Sequence, residues 1–417
     1  MMNFRRALSR TAVGSALVFS AAGCSDSFVQ VTNPNVIDAA TVDPAAGATT
    51  LALSVQQNWA VAYGWMAMYG AWFSEEANVS DTFPTRNEFG FRTITDLNTS
   101  LNGDVWTPLS RVVASAKTVL DLDLPNPTTN INIARAATFR AYAMLQMATD
   151  FCTGTFSGGP ELTTAQMLDS AIFWFSKGYD VGKANNSADG IALSNAALVG
   201  RARAKLQKGD NAGASADAAL VPAGFQYDMR YTDDAGNRAR LSNYQWQYSF
   251  DRGSISVAPW YRQSDPRVPY RAPGSTTANP QDSNIPGGFY QQIKFPGYAS
   301  PVRLASKLEA DYIAAEASGN AQTQLALIAA RRTAAGRPAY TGGTDAVSVK
   351  TELFNQRALD FYLEGRRVAD MRRSPASISN ITPAGAEYFK PGYGNVGTNV
   401  CYPLPRTETD NNENFKK

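Results

Sequence analysis

Residues 194–221 read SNAALVGRARAKLQKGDNAGASADAALV. Ala197, Leu198, Ala202 and Leu206 share one helical face, Gly209-Asp210 interrupt, and Ala214, Ala218 and Val221 resume the same period. The spacing predicts two antiparallel helices, because residues three or four apart lie on one face of a helix. Small side chains let the two faces nest, and a glycine permits the chain to reverse. Similar tracts lie on either side. Helical periods are expected over Pro44–Glu76, Val105–Leu122, Asn130–Asp150 and Thr164–Asn185, and again over Ser306–Ser318, Ala321–Ala335 and Val347–Arg373. In 130–150 the stripe of Ala134, Ala137, Ala141, Leu145 and Ala148 is narrow and small, suited to close helix packing. Gly336-Arg337-Pro338 is a stop signal between the last two helices.

The hairpin pattern is tetratricopeptide-like. The expected fold is therefore mainly α: tetratricopeptide-like helical hairpins forming a superhelical scaffold with long irregular aromatic-rich loops. Residues 77–102 read as loop. Residues 222–300 carry many aromatics among Gly, Pro, Asn and Gln and hold no sustained period, and a stretch of that length without long helices is more often functional than idle. The tail, Ser374–Lys417, is polar, with an ordered-looking Cys401-Tyr402-Pro403-Leu404-Pro405.

Composition narrows the chemistry. The 417 residues include no histidine, which removes Ser-His-Asp triads, Cys-His pairs and histidine-ligated metals. Carboxylate or Ser-Lys chemistry would remain, but binding functions move up, and no metal or cofactor is expected. The 38 basic and 36 acidic side chains nearly balance, so no basic field points to nucleic acid. Asp233-Asp234-Ala235-Gly236-Asn237 reads as a turn, with a weak cation loop as the other reading.

The N-terminus carries an address. Arg5, Arg6 and Arg10 precede an apolar stretch from Thr11 to Ala22, too short to span a bilayer, so residues 1–23 read as a signal peptide. The stretch ends in Ala21-Ala22-Gly23-Cys24, similar to a bacterial lipobox, which makes Cys24 the expected lipidation site. Residues 24–43 would be a tether and 44–417 a single domain. Lipidation leaves Cys152 and Cys401, and two remaining thiols in an exported protein suggest a disulfide, against two buried free thiols.

Five further patterns fall in one order along the chain. Cys24-Ser25-Asp26, Phe28 and Asn33-Pro34 open it; Phe139-Arg140-Ala141-Tyr142 lies on a helix; Arg331 and Ala335-Gly336-Arg337-Pro338 follow. Gln356-Arg357, Asp360, Glu364-Gly365, Arg367, Asp370 and Arg373 form the longest match, and Tyr402-Pro403-Leu404-Pro405, Glu408, Asn411-Asn412 and Asn414 close the chain. Together they resemble the SusD/RagB family of outer-membrane nutrient-binding lipoproteins. Gln356 stands where the family has Glu, and Glu413 where it has Pro. Read as one helix, the signature places Phe354, Ala358, Phe361, Gly365 and Val368 on one seam, with Glu364 reaching Arg367 and Arg366 reaching Asp370. Gly365 would sit mid-helix for close backbone approach. These charges are read as a network locking helices, the other reading being a charged ligand site.

The resemblance implies a protein at the cell surface that captures an oligosaccharide or other nutrient and delivers it to a SusC-like TonB-dependent outer-membrane barrel, catalysing nothing. Candidate ligand residues are Trp246, Tyr248, Trp260 and Tyr261 in the loop 243–262, and Phe83, Arg86 and Phe89 in the loop 80–92. Aromatic faces stack on the C–H faces of sugars, and the same rings also serve to anchor long loops. A helical surface glycoside hydrolase and a ligand-free envelope adaptor are the alternatives.

Overall fold

In a computed structural model of the protein, residues 44–415 are described, with side chains from residue 46. The signal segment 1–23, Cys24 and the tether 24–43 lie outside the described residues. Helix α1, Pro44–Phe73, buries Trp59, Tyr63, Tyr69, Trp72 and Phe73. Strand β1, Ala77–Val79, and helix α2, Pro84–Gly90, follow. A π-helical turn, Leu101–Trp106, then leads into α3, Thr107–Leu120. The stretch read as loop over 77–102 thus holds ordered elements. Their few residues are too short for a period to register.

Helix α4, Ile131–Asp150, is capped by Asn130, whose side chain accepts from Asn132 N at 2.9 Å. It corrects the narrow-stripe expectation: every residue from Asn132 to Asp150 is buried, Arg135 and Arg140 included. The cause is its position, since α3, α5 (Thr164–Asn185), α6 (Ala188–Lys208) and the later helix Arg367–Arg373 all pack against it. A helix enclosed on all sides has no solvent face to leave polar. Arg140 meets this demand by donating to Val113 O at 2.8 Å.

The 194–221 hairpin forms as read. Helix α6 ends at Gly209, in the left-handed region at φ 88, and Asp210 caps α7, Asn211–Ala219, by accepting from Gly213 N at 2.9 Å. Beyond it the chain is irregular. Residues 222–300 contain strand β2 (Gln226–Met229), helix α8 (Tyr244–Phe250, seven residues) and strand β3 (Ile255–Val257). Strand β4, Val302–Ser306, pairs antiparallel with β2, while β1 pairs antiparallel with β3, Ala77 opposite Val257 and Val79 opposite Ile255. Residues 291–292 and 270–271 extend that second sheet.

Helices α9 (Lys307–Ala317), α10 (Ala321–Ala334) and α11 (Ala346–Asp360) complete the helical layer. The expected single helix over 347–373 is corrected: α11 stops at Asp360, a turn follows, and α12 runs Arg367–Arg373. Leu363 and Gly365 adopt positive φ of 57 and 67 in that turn. Gly365 therefore sits in a turn, where a Cβ would lie 3.3 Å from Ala67 Cα of α1. Apolar spacing carries no information about φ, so the break was invisible to it.

The tail returns to the first third of the chain. Cys152 and Cys401 are disulfide-bonded, with Cα atoms 5.1 Å apart. Beside them Tyr402 N donates to Asp150 O at 2.7 Å and Cys152 N to Tyr402 O at 2.9 Å. The buried Tyr402 ring meets Phe73, Phe89 and Phe151 edge-on. The described residues from Ala48 onward belong to one compact unit, and no described helix is long and apolar enough to cross a membrane.

Candidate functional site

The seven ligand candidates do not form one surface. Phe83, Arg86 and Tyr248 come together: the Arg86 guanidinium lies 4.4 Å from the Phe83 ring centre and 5.1 Å from that of Tyr248, held by Asp81 at 2.8 Å. Phe83 is 46% exposed at the rim, and Tyr248 is buried beneath Arg86 against Trp65. Trp246 stacks on the exposed Phe250 at 4.6 Å and 11°, with Tyr298 edge-on. Phe89 and Tyr261 are core residues, which corrects their placing on ligand loops. Phe89 packs on Tyr69 and Tyr402, and Tyr261 on Tyr362 at 4.9 Å. Sequence cannot separate an anchoring ring from a presented one, because both occur in loops rich in glycine and proline.

Trp260 is different. Half-buried, it lines a cavity of about 360 Å³ whose other walls come from the end of α1 (Trp72, Glu75), β1 (Asn78) and the tail (Asn380, Thr382, Tyr388). Pro259 starts the short 3-10 turn that carries Trp260 directly after β3, so the β1–β3 pairing places the ring beside Asn78's strand. The tail wall is fixed from below. Glu75 accepts from Thr382 N at 3.0 Å and from its hydroxyl at 2.8 Å, and Arg92 lies 3.7 Å from the same carboxylate. Further on, residues 385–396 close a small hairpin, with Gly385 N donating to Val396 O and Tyr388 N to Gly394 O. Lys390 anchors it to Asp81 O and, at 3.1 Å, to Asp282.

The chemistry of this cavity is that of a polar binder. Trp72 Nε1, Asn380 Nδ2 and Tyr388 Oη are buried without a hydrogen-bond partner among the described residues, and all three residues border it. Those three atoms have essentially no accessible surface of their own, and the half-buried side chains around the cavity include Trp260, Glu75, Asn78, Asn380 and Thr382, an aromatic ring among polar groups. Glu75 is the only charged side chain among the described lining residues, and it is engaged. Behind it, burial pushes the Glu76 carboxyl up to about 8 despite Arg367 and Lys294, while Leu363 N donates to its Oε1 at 3.1 Å.

A larger groove, about 960 Å³, runs between α1 and β2. Its tyrosines are satisfied: Tyr231 donates to Ala60 O at 3.2 Å and Tyr227 accepts from Gln56 at 3.3 Å. None of the buried unpartnered atoms belongs to its lining, so the smaller cavity is the better candidate. Among the described residues no group of three or more acidic or cysteine side chains could hold a metal. Asn237 closes the 233–237 segment as a turn, its side chain donating to Asp234 at 2.9 Å and its N to Asp234 O at 3.0 Å.

Except for Arg367, the signature charges lie apart from the cavity. Glu364 accepts from Lys294 at 2.8 Å and Arg303 at 2.9 Å, not from Arg367. Arg366 reaches Glu309 at 3.4 Å, not Asp370, and donates to Leu304 O at 2.6 Å. Asp370 pairs with Arg357 and Arg373, both at 2.9 Å, and Asp360 with Arg331 at 2.8 Å and the Tyr312 hydroxyl at 2.6 Å. Both i,i+3 and i,i+4 expectations fail because the turn at 361–366 removes the helix they assumed. Arg367 instead reaches Asn380 at the cavity wall.

Helical hairpins under a layer of irregular loops, with a returning tail that walls a cavity, define the class: the fold is SusD/RagB-like. A SusD-like carbohydrate binding protein from Bacteroides vulgatus superposes with a TM-score of 0.68 at 15% identity, over 89% of this chain and 97% of that one. A SusD superfamily protein from Parabacteroides distasonis and a laminarin binding SusD-like protein each give 0.64 at 14% identity, over 89% of this chain and 98% of theirs. At these identities the likeness is one of fold. Neither a family model nor a curated protein matches the sequence.

Proposed function

We propose that the protein is a surface-exposed outer-membrane lipoprotein, anchored through Cys24, that binds an oligosaccharide in the Trp260 cavity and delivers it to a SusC-like TonB-dependent barrel without turning it over. The observation that carries this reading is the cavity itself, one half-buried tryptophan set among the polar side chains of Asn78, Asn380, Thr382 and Glu75. A sugar offers an apolar C–H face to such a ring and hydroxyls to such groups. Support comes from the fold neighbours, which include a carbohydrate binding and a laminarin binding protein. The Phe83–Arg86–Tyr248 cluster offers a second, shallower aromatic surface.

Titration calorimetry of the soluble domain against laminarin and other β- and α-glucan oligosaccharides tests the binding. Trp260→Ala is expected to weaken it by about 10-fold or more, as loss of a central aromatic anchor does, with thermal stability little changed. Affinity purification from detergent-solubilised outer membranes is expected to bring a large barrel with the lipidated chain. Binding that ignores Trp260 removes this site from the proposal, and hydrolysis of any bound oligosaccharide would favour the glycosidase alternative.

A further inference from the structure

We infer that the larger groove, between α1 and β2, is a second binding site, which holds an extended segment of a partner protein as an added strand on β2. The α1 residues that line it end at Val61, whereas Trp72 lines the Trp260 cavity, about 16 Å further along the helix axis. A strand in the groove and a sugar in the cavity would not compete.

One wall of the groove is a strand edge. Every residue from Gln226 to Thr232 lines it, and successive residues of a strand point to opposite faces, so the edge of β2 borders the groove rather than one face. Strand β4 holds the other edge, in a sheet of two strands among the described residues. Apart from that ladder, Gln226–Tyr231 make no backbone–backbone hydrogen bond among the described residues. Gln226 and Arg230 are exposed and Tyr227, Asp228 and Tyr231 half-buried, so this stretch reaches the surface. Main-chain groups on an open edge can exchange water for another main chain, and a polypeptide presents donors and acceptors at the matching repeat. At the rise of a strand, 226–232 offers about 20 Å of edge, enough for a segment of roughly seven residues.

The facing wall is one side of a helix. Leu53, Gln56, Gln57, Ala60 and Val61 recur at three- and four-residue steps along α1. Leu53 is 49% exposed, an apolar side chain without a full set of neighbours. Two side-chain bridges tie the walls together: Gln56 donates to the Tyr227 hydroxyl, and the Tyr231 hydroxyl donates to Ala60 O. With an edge strand beside a helix, an added strand gains affinity from main-chain bonds and selectivity from alternate side chains set against the helix. Neither tryptophan nor phenylalanine is among the described lining residues, so the groove lacks the open stacking ring of the Trp260 cavity.

Charge narrows the occupant further. Asp189 pairs with Arg135 at 3.2 Å and Asp228 accepts from the Gln226 side chain at 3.0 Å, while Arg230 has no ion pair among the described residues. One unmet cation suits an acidic side chain within a segment of alternating apolar residues. It does not suit a free peptide, which brings both an amine and a carboxylate.

A phage-displayed library of random 12-residue peptides, selected on the purified protein, supplies the probes. Enriched sequences are expected to alternate apolar residues and to carry an acid. At about ten times its Kd, such a peptide should slow amide exchange across 226–232 by about 10-fold. Methylating its main-chain nitrogens one at a time should weaken binding by about 10-fold or more at every second position, where the N–H faces β2, and far less between. Leu53→Lys is expected to cost about 10-fold and Arg230→Glu about 5-fold, both at exposed positions, with Trp260→Ala without effect. Peptides with blocked ends, or grafted into a loop of a carrier protein, should bind as well as free ones. A requirement for a free terminus overturns the partner segment in favour of a free peptide. Failure to enrich any sequence, unchanged exchange across 226–232, or an equal cost of methylation at every position overturns strand addition. Protection of 226–232 by laminarihexaose would reassign the groove to sugar.

Discussion

Around Glu309 every carboxylate of the signature knot lies within 3 Å of a cationic nitrogen, whereas around Trp260 three polar atoms meet no partner among the described residues. Both clusters draw on the same currency of buried polar groups. In the knot, α6 supplies Arg203, the irregular span Lys294, β4 Arg303, α9 Glu309 and Glu316, α10 Arg331, and residues 357–373 further members, so its bonds join elements distant in sequence. In the cavity the groups belong to α1 and the tail. Carboxylates paired across distant elements mark the knot as architecture.

The strongest way to break the knot is Glu309→Ala, which leaves Arg203, Arg366 and Arg357 buried without their shared carboxylate. A loss of about 3–5 kcal/mol is expected in urea unfolding. Burial alone would raise this carboxyl, but Arg203, Arg366 and Arg357 hold it at about 2. Its folded value is depressed, so its stabilisation is present above the unfolded value near 4.5 and is lost as pH falls towards about 2. An acid-unfolding midpoint that Glu309→Gln leaves unmoved would contradict this.

Next in size is the disulfide. Replacing Cys152 and Cys401 by Ser is expected to cost about 2–5 kcal/mol and to loosen the tail that walls the cavity, so stability and glycan affinity should fall together. Wild-type protein under reductant should show the same drop in melting temperature.

Glu76 lies between the two regions, adjacent to a cavity residue in sequence and shifted by charges that extend to the knot. Its folded value is raised, so the stability present below about 4.5 is lost as pH rises through about 8. Across that window the wild-type protein should lose about 1.4 kcal/mol per pH unit relative to Glu76→Gln, with the two stability curves parallel above pH 8.

The smallest effects sharpen the comparison most. Tyr312→Phe removes a hydroxyl bonded to Asp360 at 2.6 Å and should cost about 1–3 kcal/mol. Tyr388→Phe removes one with no hydrogen-bond partner among the described residues and should change stability by no more than about 0.5 kcal/mol. Equal costs for the two would erase the distinction between knot and cavity.

The helices, the 194–221 hairpin and the irregular span 222–300 were legible because periodicity and turn glycines are local properties. The cavity was only partly legible. Trp260 stood out as an aromatic in a loop, but Asn380, Thr382 and Tyr388 lie in a tail whose composition resembles any polar terminus. The one signal that could have found them was the Cys152–Cys401 pair, which returns the tail to the neighbourhood of α4. Phe89 and Tyr261 were misplaced for the converse reason, since ring type says nothing about which side of a loop faces the core.

By itself the sequence determined a helical scaffold, the absence of imidazole chemistry and the order of the SusD/RagB-like motifs, all of which follow from residue type and near-neighbour spacing. Only the tertiary structure decided which charges lock helices and which aromatic ring faces a cavity. Those outcomes depend on partners many residues away, such as Thr382 against Glu75 and Glu364 against Arg303. A side chain's role in binding is set by whether folding satisfies it, and that is known only once the distant segments have met.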